Sequence, residues 1–360
     1  MGPRPASDFR SMPLPTLPLE DLEHVLLHTN SLWEELRGKR LFITGGTGFF
    51  GTWLLESFLH ANDRLDLGAQ IVALSRNPQA FAAKLPHLAK HPALTIWRGD
   101  IRNFSFPEGI FSHVIHAATQ ASAKLNSEAP AEMLDSIVGG MQRLLKFTAQ
   151  ARVEKCLFTS SGAVYGPQPS EMIHVEESFC GGPDPLLPIS AYGEGKRVAE
   201  HMGAVAAQIQ GWEWKVARCF AFVGPHLPLD THFAVGNFIL NALENQPVHV
   251  EGDGTPTRSY LYMADLVIWL WTILFRGASC RAYNVGSFEG VSIADLARSV
   301  VESTGSSNGF TIAKPQDPNK PVARYVPGTH RAESELGLSV RIPLLEAIRK
   351  TYSWYLPQYR

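Results

Sequence analysis

A tyrosine and a lysine four residues apart, Tyr192 and Lys196 in the segment YGEGK, are the side chains whose types and spacing most directly suggest chemistry. On a helix this spacing places both side chains on one face, one turn apart. A phenol with a pKa of about 10 is a poor base at neutral pH, but a nearby ammonium favours the phenolate. The pair could therefore remove a proton from a substrate hydroxyl. Taken alone, it is more often an ordinary feature of a solvated helix face.

A third group, Ser161 in the segment SSGAVYG, ends a predicted strand with the sequence KCLFTSS. A hydroxyl at a strand end can hold the substrate alcohol while Tyr192 takes its proton and a bound cofactor takes the hydride. Ser161, Tyr192 and Lys196 are therefore the predicted catalytic residues. Ser161 is also expected to contact the substrate, and Tyr192 and Lys196 to contact the cofactor.

A glycine-spaced turn, TGGTGFFG at residues 44–51, follows the short apolar strand LFIT and precedes a helix predicted from about Gly48 to Leu59. Gly45, Gly48 and Gly51 stand where a tight turn, a close pyrophosphate and close helix packing each exclude a side chain. The helix would aim its first amides at that pyrophosphate. The predicted contacts are Gly45, Thr47, Gly48, Phe49, Phe50 and Gly51. A purely structural turn is the alternative, and the apolar strand before the turn and the apolar periodicity of the helix after it argue against that alternative.

At these residues, and over about 38–355, the chain resembles the extended short-chain dehydrogenase/reductases, in particular the NAD-dependent epimerase/dehydratase family that remodels nucleotide sugars. The resemblance implies an adenine contact in GDIRN and a nicotinamide-ribose contact in HAAT at 116–119. It also implies contacts from the later segments to a nucleotide diphosphate, which a guanidinium binds well. The residues assigned in this way are Asp100, Ile101, Ala117 and Ala118 for the cofactor, and Asn237, Arg258 and Arg324 for the substrate.

Departures from the family pattern reduce the number of reactions that the chain is expected to catalyse. Dehydratases and decarboxylases of the family place an acidic residue just after the catalytic hydroxyl, where this chain has Gly162 and Ala163. Ala221 also replaces the family's usual asparagine. The chemistry that remains is oxidation or reduction at a ring carbinol, most simply C4, by a 4-epimerase or a 4-ketoreductase. A 4,6-dehydratase or decarboxylase that recruits its acid elsewhere, for example from Glu194, is the alternative. A catalytically silent dinucleotide-binding scaffold is another.

The end of the second strand, IVALSRNP, bears on the choice of cofactor. A site for NAD should carry an acid there to bind the free 2′-hydroxyl, but this chain has Ser75 and Arg76. A hydroxyl and an arginine can bind a 2′-phosphate, so the sequence favours NADP over NAD. If Arg76 points into solvent instead, the site would accept either cofactor.

Alternating strands and helices predict an α/β fold, a Rossmann-type doubly wound parallel sheet with strands near residues 41, 71, 94, 113, 156 and 215. We expect an N-terminal tail and amphipathic helix over 1–37, with the tail flexible and the helix near Leu19 to Leu36. A dinucleotide-binding domain is expected over 38–225, with later segments returning to it, and a smaller α/β substrate lobe mainly over 226–360. The substrate pocket would lie between the two lobes.

The resemblance also implies a homodimer built from two helices of each subunit, here near 132–150 and 192–209. The second helix carries apolar side chains that suit such an interface, although core packing explains them equally well. These side chains are Val198, Ala199, Met202, Ala206 and Ile209.

Composition excludes several classes of function. A formal net charge of −2 and a pI near 6.7 predict no nucleic-acid partner and no membrane surface. The apolar stretch DLVIWLWTILF is too short for the roughly 20 residues of a membrane span, so Trp269 and Trp271 are expected to pack in a core or an interface. Four scattered cysteines predict no metal site and a reducing, cytoplasmic compartment. His113 and His116 are expected on opposite faces of a strand and share no metal.

Overall fold

The computed structural model describes residues 13–118, 123–231 and 233–359. The strands are β1 (Arg40–Thr44), β2 (Gln70–Ser75), β3 (Leu94–Arg98), β4 (His113–His116), β5 (Lys155–Ser161), β6 (Glu213–Cys219), β7 (Phe222–Val223), β8 (Val248–Val250), β9 (Thr257–Arg258), β10 (Leu261–Tyr262), β11 (Arg281–Val285), β12 (Val291–Ser292), β13 (Phe310–Ile312) and β14 (Arg324–Tyr325). The α-helices are α1 (Leu19–Thr29), α2 (Phe49–Arg64), α3 (Pro78–Lys84), α4 (Pro86–Ala89), α5 (Ala123–Glu128), α6 (Pro130–Ala151), α7 (Ala191–Gln210), α8 (Ala234–Leu243), α9 (Met263–Arg276), α10 (Ile293–Thr304), α11 (His330–Leu336) and α12 (Leu344–Tyr359). Short 3₁₀ turns cover Asn30–Leu36, Gly162–Tyr165 and Pro188–Ser190.

Seven parallel strands form the central sheet, in the order β3–β2–β1–β4–β5–β6–β11. The six strands expected from the sequence are present, and the α/β Rossmann-like fold is confirmed. The order reverses between β1 and β4, and ligands of such folds bind outside the carboxyl ends of the strands at this point. The seventh strand, β11, comes from the C-terminal third of the chain.

The sheet is buried on both faces, as parallel sheets usually are, and its strands are correspondingly apolar. Alternate residues of β1 enter different cores: Leu41 and Ile43 pack with α1, α2 and α9, whereas Phe42 packs with α6 and α7. Every residue of α9 from Met263 to Phe275 is buried, so Trp269 and Trp271 are core residues, as expected. Within the described part of the chain, no helix combines the length and the apolar character that crossing a bilayer requires.

The N-terminal segment differs from its prediction. The α-helix covers only Leu19–Thr29 and continues as a 3₁₀ turn, instead of running unbroken to Leu36. The part of the expected flexible tail that the structure describes is attached: the Leu14 amide donates to the Lys84 carbonyl at 2.8 Å, and the Leu17 amide donates to Glu56 at 3.0 Å. Residues 1–12 of that tail lie outside the described residues.

The remaining elements follow β6 in the chain. Helices α8, α10 and α12 pack together with β8 and β13, and β9 lies between β12 and β14 in a small separate sheet. That small sheet carries Arg258 and Arg324. The expected division at residue 225 into a cofactor domain and a substrate lobe stays a prediction, and β11 and α9 return to the central sheet as the sequence analysis allowed.

Candidate active site

The glycine turn after β1 contains two glycines that the fold itself requires. Gly45 has a φ of +73°, and a Cβ added to it would lie 2.4 Å from the Ala117 carbonyl oxygen. A Cβ on Gly51 would lie 2.2 Å from the Gly45 carbonyl oxygen, so only glycine lets α2 approach the turn. Both glycines are therefore explained by contacts within the protein.

Gly48 is different. It is exposed and extended, with a φ of −90° and a ψ of −174°, and a Cβ there would meet only the Gly45 carbonyl oxygen, at an ordinary 3.4 Å. The fold therefore does not need a glycine at this position. The missing side chain leaves room directly before the N-terminus of α2, where helix amides are available to bind an anion. These residues fit a dinucleotide pyrophosphate.

The rest of the predicted cofactor contacts of the turn and of β4 lie around this opening. Thr47, Phe49 and Phe50 are half-buried at the turn and at the start of α2. The amides of Ala117 and Ala118 donate to the Thr44 carbonyl and hydroxyl oxygens at 3.1 and 3.3 Å, which fixes the end of β4 against the end of β1. The last residue of the HAAT segment, Thr119, lies outside the described residues.

The ends of β2 and β3 form the expected adenosine side. The Ser75 hydroxyl accepts a hydrogen bond from the Asn77 amide at 3.2 Å, and Arg76 is exposed. Asp100 is half-buried and pairs with Arg102 at 2.8 Å. That hydrogen bond holds the pKa of Asp100 below its usual range, and the charge of Arg76 acts in the same direction. Ile101 is buried against α6, where it supports this turn. Arg76 and Asp100 are thus neighbours.

Ser161 and Tyr192 are brought together by β5 and α7. Ser161 is the last residue of β5, and its hydroxyl accepts a hydrogen bond from the Ala163 amide at 3.2 Å. Tyr192 lies in the first turn of α7, near enough to Ser161 for that hydroxyl to oppose the rise in the pKa of Tyr192 that burial causes. The start of α7 is held by Asn126, whose side chain accepts from the Tyr192 amide at 3.0 Å and donates to the Ile189 carbonyl at 2.7 Å. Asn126 was not predicted from the sequence.

Lys196 lies one helical turn after Tyr192 and is buried. Its ammonium nitrogen donates to the Thr159 carbonyl at 2.8 Å and lies 5.8 Å from the centre of the Tyr192 ring. It also lies 4.6 Å from the centre of the Phe158 ring. The helical spacing of the pair is thus as expected, and the lysine is anchored to β5.

Burial dominates the electrostatics of this pair. It raises the pKa of Tyr192 to about 12, an effect that the nearby Ser161 hydroxyl opposes, and it lowers the pKa of Lys196 to about 7. Burial also raises the pKa of the Cys219 thiol beside them to about 12. Both shifts of the pair disfavour its charged forms. A phenolate at Tyr192 near neutral pH therefore needs a positive charge beside it.

Tyr325 is a member of this cluster that the sequence analysis missed. Its hydroxyl lies 3.3 Å from the Ser161 hydroxyl and 3.5 Å from the Cys219 carbonyl oxygen. Its ring packs on Phe220, with 4.6 Å between ring centres. In the sequence, the only signal for Tyr325 was its position next to Arg324. The pairing of β14 with β9 brings it to Ser161, and the sequence does not show that pairing.

The predicted substrate residues separate into two groups. Arg258 faces Tyr325 across β9 and β14. Burial raises the pKa of that tyrosine and the charge of Arg258 opposes the rise, so Arg258 lies beside the cluster. Arg324 is next to Tyr325 in the chain, and its Nη1 is buried and has no hydrogen-bond partner among the described residues. Asn237 lies on the exposed side of α8, and no contact found within the described ranges brings it to Ser161.

Position 162 has no room for a side chain. A Cβ on Gly162 would lie 2.7 Å from the Phe220 ring and 2.8 Å from the Tyr325 hydroxyl oxygen. The packing of this region therefore explains the absence of an acid at position 162 but not at Ala163. His113 and His116 make separate contacts, with Glu35 at 2.9 Å and with Thr44 at 2.7 Å. Among the described residues, no cluster of three His, Cys, Asp or Glu side chains could hold a metal.

Comparison with known proteins settles the family. A family model described as the NAD dependent epimerase/dehydratase family matches residues 41–286, more than half of the chain. The chain belongs to this family. UDP-glucuronic acid decarboxylase 1 of Xenopus tropicalis is 28% identical over 319 residues, which are 88% of this chain and 72% of that protein. UDP-glucuronic acid decarboxylase 5 of Arabidopsis thaliana is 29% identical over 315 residues, which are 86% of this chain and 87% of that protein.

Among solved structures, the UDP-glucose 4-epimerase of Thermus thermophilus in complex with NAD is similar to this chain. It matches with a TM-score of 0.70 and 26% sequence identity, covering 88% of this chain and 98% of that one. The relatives of this member of the family thus include both decarboxylases and a 4-epimerase.

Proposed function

We propose that this protein is an NAD(P)-dependent enzyme that oxidises or reduces a ring carbinol of a nucleotide sugar, at C4, as a 4-epimerase or a 4-ketoreductase. The observation that carries the proposal is the meeting of Ser161, Tyr192 and Lys196 at the carboxyl ends of the central strands, beside the opening at Gly48. This set suffices to move one proton at one hydroxyl.

The cofactor would lie with its pyrophosphate at the start of α2 and its adenosine near Ser75, Arg76 and Asp100. When bound, the oxidised nicotinamide supplies a hydride acceptor and a positive charge. Burial raises the pKa of Tyr192. A positive charge beside the phenol would oppose that rise and favour the phenolate. NADP(H) is the favoured form, since exposed Arg76 can reach a 2′-phosphate, while Asp100 is already paired with Arg102.

In the proposed proton step, Ser161 holds the substrate oxygen and Tyr192 takes its proton. The ammonium of Lys196 stabilises the resulting negative charge on the phenol oxygen from within the protein. Protonation of the lysine requires a pH below or near its lowered pKa of about 7, unless the phenolate raises that pKa again. Arg258 and Arg324 would bind the diphosphate of the substrate, and the buried Nη1 of Arg324 supports this role.

A decarboxylase is the second candidate, because the curated relatives described above carry that name. The residues after Ser161 oppose it: Phe220 and Tyr325 fill the space that a side chain at Gly162 would need, and Ala163 carries no carboxylate. Glu194, the acid named as a possible replacement, lies 3.8 Å from Arg197, which donates to the Val164 and Gly181 carbonyl oxygens. Glu194 is thus paired with an arginine that is held to the loop next to α7.

The decisive experiment incubates the purified protein with UDP, dTDP, GDP and CDP sugars and either cofactor. A C4 epimer formed while the cofactor is conserved indicates an epimerase. Stoichiometric loss of reduced-nicotinamide absorbance with a 4-keto sugar nucleotide indicates a ketoreductase. Carbon dioxide from a uronic acid would overturn the proposal in favour of the decarboxylase, and a 4-keto-6-deoxy product would overturn it in favour of a 4,6-dehydratase. No turnover that depends on Tyr192 would favour a silent scaffold.

We also propose a homodimer through α6 and α7, supported by an exposed apolar stripe on α7. Val198, Val205 and Ile209 are exposed at spacings of seven and four residues, with 78% of Ile209 accessible. Ala199 and Ala206, which the sequence analysis grouped with them, are buried in the core of the subunit instead. Sedimentation of the wild type and of Ile209→Glu tests the interface, and a wild-type monomer would overturn it.

A further inference from the structure

The hydroxyl of Ser161 has more polar neighbours than a serine in an ordinary strand end. It accepts from the Ala163 amide at 3.2 Å, it lies 3.3 Å from the Tyr325 hydroxyl, and it is near enough to Tyr192 to favour the charged form of that phenol. A serine hydroxyl has one proton and two acceptor lone pairs. The Ala163 amide uses one lone pair, so one lone pair and one proton remain for the two phenols.

The direction of the remaining hydrogen bonds follows from the chemistry. If Tyr192 is the phenolate base, it has no proton to give, and the Ser161 proton must point to it. The last lone pair of Ser161 can then be filled only by a donor, and the Tyr325 hydroxyl is in place. Burial raises the pKa of Tyr325, so it keeps its proton at neutral pH and remains a donor. Its other acceptor, the Cys219 carbonyl oxygen, is more distant at 3.5 Å.

We propose that Tyr325 is a positioning residue of the catalytic centre, whose hydroxyl donates to Ser161 and so directs the Ser161 proton toward Tyr192 in the enzyme before the sugar nucleotide binds. When the substrate oxygen arrives, Ser161 gives this proton to it and still accepts from Tyr325. This inference rests on the proposed function, because it takes Tyr192 as the base. A donated hydrogen bond polarises the acceptor hydroxyl, which makes Ser161 a stronger donor to the phenolate. Tyr325 therefore stabilises the charged form of Tyr192 from the far side of the serine.

The surroundings of Tyr325 support a fixed donor. Phe220 packs on its ring, and the absence of a side chain at Gly162 leaves room for its hydroxyl. The charged or titratable groups that face Tyr325 are Arg258 from β9, Tyr192 from α7 and Cys219 from β6. Those that face Tyr192 are Lys196 from its own helix, Cys219 from β6 and Tyr325 from β14. Apart from its own hydroxyl, Tyr325→Phe removes none of these groups.

The test is Tyr325→Phe, which keeps the ring on Phe220 and removes only the hydroxyl. We expect the rising limb of kcat/KM against pH to move up by about one unit, an approximately 10-fold loss of rate below the limb, while KM for the sugar nucleotide stays unchanged. The matched control is Tyr355→Phe, which removes a buried phenol hydroxyl bonded to the Leu227 carbonyl at 2.6 Å. An unchanged limb in Tyr325→Phe, or an equal shift in the control, would overturn the proposal.

A second measurement does not need turnover. With oxidised cofactor bound, the ionisation of Tyr192 is followed by ultraviolet phenolate absorbance, as the difference between each protein and its Tyr192→Phe counterpart. The midpoint should rise in Tyr325→Phe and should not change further when Tyr325→Phe is added to Ser161→Ala. A shift of the same size in both backgrounds overturns the role through Ser161. An inactive wild type that still shows the shift would sink the proposed reaction and leave this inference standing.

Discussion

The two sides of the candidate site are built in different ways. On the cofactor side, the proposed pyrophosphate site is one continuous segment: β1, the turn at Gly45–Gly51 and the start of α2. The substrate side is assembled from β5, α7, β9 and β14, and its central hydrogen bond joins residues 164 positions apart, Ser161 and Tyr325. The first depends on backbone geometry and the second on side chains held by tertiary packing.

This difference separates the part of the site that is independent of the substrate from the part that depends on it. Backbone amides at a helix start bind a pyrophosphate whatever the sugar, because they recognise only its charge. In the proposed reaction, the side chains around Ser161 would decide which proton moves and what fits next to the reacting carbon. Gly162, Phe220 and Tyr325 thus bear on the choice between epimerase and decarboxylase, a question on which the glycine turn gives no information.

The largest effect is expected on the substrate side, in Tyr192→Phe. Loss of the proposed base should lower kcat by about 10²–10⁴-fold, the range typical of a positioned general base. Binding of the cofactor and of a nucleoside diphosphate, measured by calorimetry, should stay near wild type because the ring remains. Retention of more than a tenth of the wild-type kcat would contradict the assignment of Tyr192 as the base.

On the cofactor side, Gly51→Ala and Gly48→Ala form a matched pair. The Gly51 variant puts a Cβ 2.2 Å from backbone and should destabilise the protein by roughly 1–3 kcal/mol, seen as a lower Tm. The Gly48 variant meets only an ordinary 3.4 Å contact, so its Tm should be unchanged. Its cofactor affinity should nevertheless fall by about 10-fold, since the Cβ enters the pyrophosphate space. Unchanged cofactor binding in Gly48→Ala would refute our placement of the pyrophosphate.

The same comparison explains what could be predicted from the sequence. The turn is local, so its glycine spacing and the apolar strand before it predicted its geometry. The spacing of Tyr192 and Lys196 gave their shared helix face for the same reason. Tyr325 escaped because β14 is two residues long and has no periodicity, and its contacts depend on pairing with β9. The attachment of residues 14–17 was not predicted either. It depends on Glu56 and Lys84, which lie far along the chain and reach this proline-rich segment only in the fold.

A smaller effect on the substrate side is expected from Arg324→Met. Its buried Nη1 lacks a partner among the described residues, which suits a diphosphate oxygen. Hydrogen bonds to charged groups contribute about 1.5–3 kcal/mol, so affinity for a nucleoside diphosphate should fall by roughly 10- to 100-fold. Arg298→Met is the control, because Arg298 is exposed and pairs with Asp295 on α10. Equal affinity in both variants would remove Arg324 from the proposed substrate site.

The smallest effect is expected at the adenosine end of the cofactor side, where a side chain, rather than backbone, would select between NADP and NAD. Arg76→Ala should lower NADPH affinity by about 10-fold and leave NADH affinity unchanged, because only the former carries a 2′-phosphate. Arg64→Ala, at the exposed end of α2 and paired with Glu23, controls for a general loss of positive charge. If NADH binding is tighter than NADPH binding in the wild type and Arg76→Ala changes neither, Arg76 points to solvent and the NADP preference is wrong. The cofactor side would then be specified by backbone alone, and all of the side-chain selectivity of the site would belong to the substrate side.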